Sequence, residues 1–395
     1  MLKSNIAWMK KNVPSDLKVW KGMIQDIDWS QVAAKTKLSL QRDKDRITAE
    51  FKEFAAMDTS AKIDWLMNGD RHLGYLYKKD AIAFARREWK GLKSVGYDFV
   101  GWLKIWGGML NMVMKDPMSI MLAVFEYHWF ASYLATPAVV DRSVFGRRGK
   151  LLQADFDMWV AITHWAEDLI ANLIMADAKI GGNQKINKRI IMFDEMTMAQ
   201  MMAGFPNLLG IPYQMIPVFM VSEMDQLTLI PYIDAIESYG LPSDTCPLPT
   251  AECGCAVKDE YPMCGQGFIA SSMPCDGSVM ATSFQDRRFS KFMPSYPLCM
   301  PVRYDDEDTT EMAAADMKDC IHWVEGLTGE TWNWDTYFAT MEKMNECTRL
   351  EMEKWEINKT HYPQLVGSSF ELFRKWNYEM DGGLFPEGLK TQRKI

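Results

Sequence analysis

The chain has 395 residues, of which 48% are hydrophobic and 24% charged, with a formal net charge of −8. A chain of this length buries a large core without disulfide staples and corresponds to two or three domains. The acidic balance argues against nucleic acid as its main partner.

At the N-terminus, MLKSNIAWMKKNVPSDLK carries charges that interrupt any apolar run, so no secretory signal is expected. Residues 117–140 are the most membrane-like stretch. Glu126 and His128 lie near its centre, Pro137 near its end, and Asp141, Arg142, Arg147 and Arg148 follow closely. These charges identify a buried helix rather than a membrane span. The expected location is the cytoplasm, where thiols stay reduced.

Residues 1–212 read as a mostly helical N-terminal region. Segments 47–57, 81–93, 118–134 and 156–176 place apolar residues three and four apart. Gly181-Gly182-Asn183 breaks the pattern, and 192–205 reads as a further helix. From 213 to 330 the pattern becomes α/β. The run 217–222 is strand-like. Residues 227–239 form a helix with Pro231 in its first turn and Gly240 as its stop. Residues 268–273 form a strand, 277–289 a helix and 296–302 a third strand-like run. Two long helices, 308–327 and 334–357, lead into a C-terminal helical region over 331–395. Strands alternating with helices define a parallel, doubly wound sheet.

All eight cysteines lie between Cys246 and Cys347. Cys275 comes directly after the strand 268–273, ahead of a helix opening Asp276-Gly277-Ser278. Cys246 follows the return after Gly240 and is expected at a strand end on the same side of the sheet. Ligands of open parallel sheets bind beyond the strands' carboxyl ends, and a helix N-terminus favours a thiolate and an anionic cluster. Soft thiolates select Fe–S, Zn or Cu(I). The pair Cys253-Gly254-Cys255 lacks zinc-finger spacing. Residue types alone leave a metal site and free thiols both open.

Several other motifs carry no site. Gly265-Gln266-Gly267 precedes a strand rather than following one, so it is not a dinucleotide fingerprint. The histidines 72, 128, 164, 322 and 361 show no paired ligand spacing and read as core or surface residues. Asp305-Asp306-Glu307-Asp308 reads as an acidic helix start. Cys320 and Cys347 read as small hydrophobes in long helices.

Asp244-Thr245-Cys246-Pro247-Leu248 and Met273-Pro274-Cys275-Asp276-Gly277 resemble the 2-hydroxyacyl-CoA dehydratase / benzoyl-CoA reductase subunit family, in particular the 2-hydroxyglutaryl-CoA dehydratase D-component. The resemblance continues through the strand containing Pro301, through Val324-Glu325-Gly326-Leu327-Thr328-Gly329-Glu330, and to Met344-Asn345-Glu346. It implies a Rossmann-like domain holding a [4Fe–4S] cluster, with Cys246 and Cys275 as two of three ligands and one iron left open. It further implies radical dehydration of a 2-hydroxyacyl-CoA to an enoyl-CoA, by way of a ketyl made with one low-potential electron. Reduction of an aromatic acyl-CoA ring, or a non-catalytic partner role, are its alternatives. The implied partners are a second subunit in a heterodimer, an ATP-dependent iron–sulfur activator protein and an acyl-CoA substrate, in anaerobic metabolism. The family's third cysteine lies in a further domain that is not expected within these 395 residues, and Cys299 is the candidate substitute.

Overall fold

The computed structural model describes residues 29–68, 77–78, 92–137, 150–180, 189–193, 201–212, 217–218, 221, 226–242, 244–272, 275–299, 301, 306–359, 361, 389 and 393. Most of the expected helix 81–93, the Gly181-Gly182 breaker and Met273-Pro274 lie outside them.

The N-terminal part is helical: α1 (Trp29–Ala56), α2 (Thr59–Asn68), α3 (Leu92–Lys115), α4 (Pro117–Glu126), α5 (Phe130–Leu134) and α6 (Lys150–Ala176). The membrane-like stretch is two helices rather than one. Asp116 caps α4, its carboxylate accepting from the Ser119 N–H, and Pro117 occupies the first turn. Tyr127 then turns extended and ends the helix. Among the described residues no helix is long and apolar enough to cross a membrane.

Four parallel strands form one sheet in the order β2-β1-β3-β4: β1 (Arg189–Phe193), β2 (Leu208–Pro212), β3 (Gly267–Ser271) and β4 (Ser295–Leu298). Helices α7 (Ile230–Glu237), α8 (Pro247–Val257), α9 (Asp276–Phe289), α10 (Glu307–Thr328) and α11 (Trp334–Asn358) complete the α/β architecture. Side-chain alternation assigns the two faces. Ile190, Met192, Phe268 and Ala270 join the core shared with the N-terminal helices and Phe289 of α9. Ile191, Phe193, Ile269 and Leu298 pack on Cys320, Ile321 and Val324 of α10. Helices therefore cover both faces, as a doubly wound sheet requires.

Three local readings need correction. The segment 192–205 does not start as a helix, because Met192 and Phe193 close β1. Ile190-Ile191-Met192-Phe193 is a continuous apolar run, the pattern of a strand buried on both faces. β1 and β2 both precede residue 213. The run 217–222 is no strand where it is described, since Pro217 and Val218 are π-helical and Val221 is α-helical. The ends of the later helices follow their sequence signals. Pro231 lies in the first turn of α7, Gly240 takes φ +97 after it, Asp306 caps α10, and Gly329 ends α10 at φ +75.

One buried group in the helical part makes a pH-dependent prediction. Glu167 on α6 is 1% exposed, and among the described residues neither carboxylate oxygen has a hydrogen-bond partner. It sits against Gly108 of α3 beside His164, where any added side chain would collide with both. Burial, helped by the nearby Asp168, pushes its carboxyl up to about 9. The folded chain then holds a proton that the unfolded chain releases above its ordinary carboxyl range. The associated stability is complete below about pH 4.5 and is lost as pH rises toward 9, at up to about 1.4 kcal/mol per unit. Urea unfolding at pH 5.5, 7 and 8.5 is expected to show this decline in the wild type and a flatter profile in Glu167→Gln. Parallel profiles would remove Glu167 as the cause.

Candidate metal-binding cysteines at two helix N-termini

β1 is followed by β2 on one side and by β3 on the other, so the strand order reverses between β1 and β3. The crevice beyond the carboxyl ends at such a switch point is where open parallel sheets bind ligands. Cys275 lies there. It is the N-cap of α9, four residues beyond the end of β3, with extended backbone and no capping bond from its thiol. Asp276 sits in the first turn of α9 and Arg287 and Arg288 in its last, matching the helix dipole at both ends.

Cys246 does not lie at a strand end. It is the N-cap of α8, reached directly from α7 without an intervening strand. The signal was present in Cys246-Pro247-Leu248-Pro249, because proline at the first helical position is a start signal. Pro247 and Pro249 lack N–H groups, and the N–H and hydroxyl of Thr250 both donate to the Cys246 carbonyl. The Cys246 thiol takes no part in the cap.

The two helix starts pack together. A β-carbon at Gly277, in the first turn of α9, would lie 2.7 Å from Pro249 Cγ and 3.9 Å from Cys275 Sγ. Only glycine lets the first turns of α8 and α9 approach this closely. Cys299 leaves the same carboxyl edge from β4, which pairs Ser271 with Leu298. The Cys299 N–H donates to Asp316 at 2.6 Å.

Burial separates the cysteines, and Cys347 is among the buried ones. Cys246, Cys275 and Cys299 are exposed. Burial pushes the thiols of Cys255, Cys264 and Cys320 well up, and that of Cys253 up to about 12 with help from Glu252. Those four are held as neutral thiols, whereas metal ligation requires thiolate. The exposed thiols Cys246 and Cys275, at two packed helix starts, are soft donors of the kind that fits an iron–sulfur centre. Among the described residues no group of three or more His, Cys, Asp or Glu side chains converges as a metal site.

A buried ionic network that the sequence did not disclose anchors the far end of α8. Lys179, 1% exposed, reaches Glu126 at 3.3 Å, the Asp259 carboxylate at 3.3 Å and the Asp259 carbonyl, and lies over the Tyr127 ring. Arg46 pairs with Glu126, and Arg288 with Asp259. Glu260 Oε2 accepts from the His128 N–H at 2.7 Å and the Tyr232 hydroxyl at 2.6 Å. Burial raises the Glu126 carboxyl, opposed by Lys179 and Arg46. Arg46, Glu126, His128, Asp259 and Glu260 border a cavity of about 420 Å³ between α1, the end of α4 and the end of α8. Glu126 and His128 were legible only as charges inside an apolar stretch, because Lys179 and Glu260 lie far along the chain.

The architecture is a parallel α/β sheet covered by helices on both faces, with exposed cysteines at the packed starts of α8 and α9. Residues 226–383 match the family model described as 2-hydroxyglutaryl-CoA dehydratase, D-component. The segment contains α7 to α11 and the three exposed cysteines, so the resemblance read from the cysteine motifs is borne out there. A comparison with curated proteins gave no match.

Proposed function

We propose that the chain is the iron–sulfur subunit of a (R)-2-hydroxyacyl-CoA dehydratase, with Cys246 and Cys275 holding a [4Fe–4S] cluster. The observation that carries this reading is the packing of two cysteine-capped helix starts at the sheet's switch point, inside the segment that matches the dehydratase family. When bound, such a cluster supplies an open iron that acts as a Lewis acid and a low-potential electron carrier. The chain's own part is to present two exposed cysteines at neighbouring helix starts, and to hold the two helices in register through the Pro249–Gly277 contact. The two thiolates need further ligation, and Cys299 at the same edge is the candidate within this chain. In this reading a second subunit, an ATP-hydrolysing activator protein and a cytoplasmic, anaerobic setting complete the system.

Single variants Cys246→Ser and Cys275→Ser test the assignment. Each is expected to lose most of the iron from anaerobically purified protein. The unfolding temperature of the metal-free form should stay unchanged, because both thiols are exposed and neither caps an amide. Cys299→Ser reports on the further ligand. Unchanged iron in the first two variants would falsify the ligand assignment even if a cluster is present.

A further inference from the structure

Helix α3 turns one face inward, where Ile105, Met109 and Met112 are buried against the core. Its opposite face is also apolar. Leu92 is 90% exposed, Phe99 59%, Leu103 48%, Leu110 53% and Met114 70%. Helical spacing puts these residues on one stripe, with Gly96 and Gly107 in the same line. Among the described residues nothing lies within 4 Å of the place a β-carbon would occupy at either glycine. Two opposite faces of α3 are thus apolar, and an exposed patch of this kind marks an interaction surface. The stripe is also free of charge. The neighbouring lysines are drawn back onto α6, Lys115 to Asp168 at 2.6 Å and Lys104 to Asp157 at 4.0 Å.

We infer that this face is a two-fold interface between two copies of the chain, α3 packing antiparallel against α3, so that an assembly with the second subunit of the proposed function would contain two copies of this chain. The arrangement of the stripe selects that partner. With the two-fold axis beside Leu103, each residue meets the one equally far on the other side of Leu103, as an isologous interface requires. Leu103 then meets its own copy, and Leu92 meets Met114. Gly96 receives Leu110, and Gly107 receives Phe99. Each open glycine position therefore faces a large side chain of the partner, and each large side chain next to the axis faces a gap. The stripe repeats at an eleven-residue interval, from Leu92 to Leu103 to Met114. That period stays close to the natural twist of an α-helix, so the line of contact runs the length of α3 without drifting off it. Scaled by the exposures, the stripe with its flanking Val100, Trp102 and Met118 offers on the order of 800 Å² per chain, the amount a standard interface takes from each partner.

Sedimentation of the purified full chain over roughly 1 to 100 µM tests this by mass action. The wild type is expected to be a dimer. Gly107→Phe fills the gap that receives Phe99 and is expected to weaken dimerisation at least a hundredfold. In the monomer its new β-carbon meets none of the described residues within 4 Å, so far-UV circular dichroism should remain that of the wild type. The double variant Phe99→Ala with Gly107→Phe moves the bulk to the other side of the same pair and is expected to restore the dimer. A wild type that stays monomeric over the whole range overturns the inference. So does a dimer indifferent to Gly107→Phe, or one that the double variant does not restore.

Discussion

Replacing Lys179 by methionine is expected to cost about 3–5 kcal/mol of folding stability, the penalty for leaving buried charges without their partner. The ammonium is 1% exposed and is shared between Glu126 on α4 and both the carbonyl and carboxylate of Asp259 at the end of α8. Arg46 and Arg288 remain on the two carboxylates, but neither can bridge them. Arg46 is half exposed, so Arg46→Met should cost no more than about 1 kcal/mol, as surface pairs do. Denaturant titration of both variants at pH 7 measures the difference. Equal costs would mean that the network is a solvated surface cluster rather than the internal tie between the helical part and α8.

The second large effect is expected at Gly254. An alanine β-carbon there would collide with the backbone carbonyl of Tyr232, so α7 and α8 could not keep their present separation. Two effects compete. Gly→Ala inside a helix gains about 1 kcal/mol, while overpacking against an immovable backbone costs about 3 kcal/mol or more. The clash wins, and Gly254→Ala should lose about 2 kcal/mol net. Because α8 carries Cys246 at its start, the same variant should also lose iron under the proposed function. Thermal unfolding and iron content measured on one preparation check both outcomes. A variant as stable as the wild type would show that the helices separate freely.

The sequence disclosed what depends on local chemistry. Pro231, Gly240, Asp306 and Gly329 mark helix ends by caps and backbone preference, and each acts at its own position. Cys275 was placed at its helix start because a strand, a cysteine and Asp276-Gly277 are contiguous. The return after Gly240 suggests a chain leading into the sheet and so a strand end at Cys246, whereas Pro247 marks a helix start. β1 was hidden because a four-residue apolar run has no period that separates a buried strand from a buried helix. The contact between Pro249 and Gly277, and the network around Lys179, depend on tertiary approach between distant segments, and no spacing encodes that.

The most direct measurement of the central claim is the iron and acid-labile sulfide content of the full chain, purified without oxygen and alone. The account predicts roughly four of each per bound cluster, with a broad visible absorption that bleaches on reduction or chelation. Loss of that signal in Cys246→Ser and Cys275→Ser would place it at the packed starts of α8 and α9. A folded preparation with neither iron nor sulfide, which takes up none when both are supplied under reducing conditions, would contradict it.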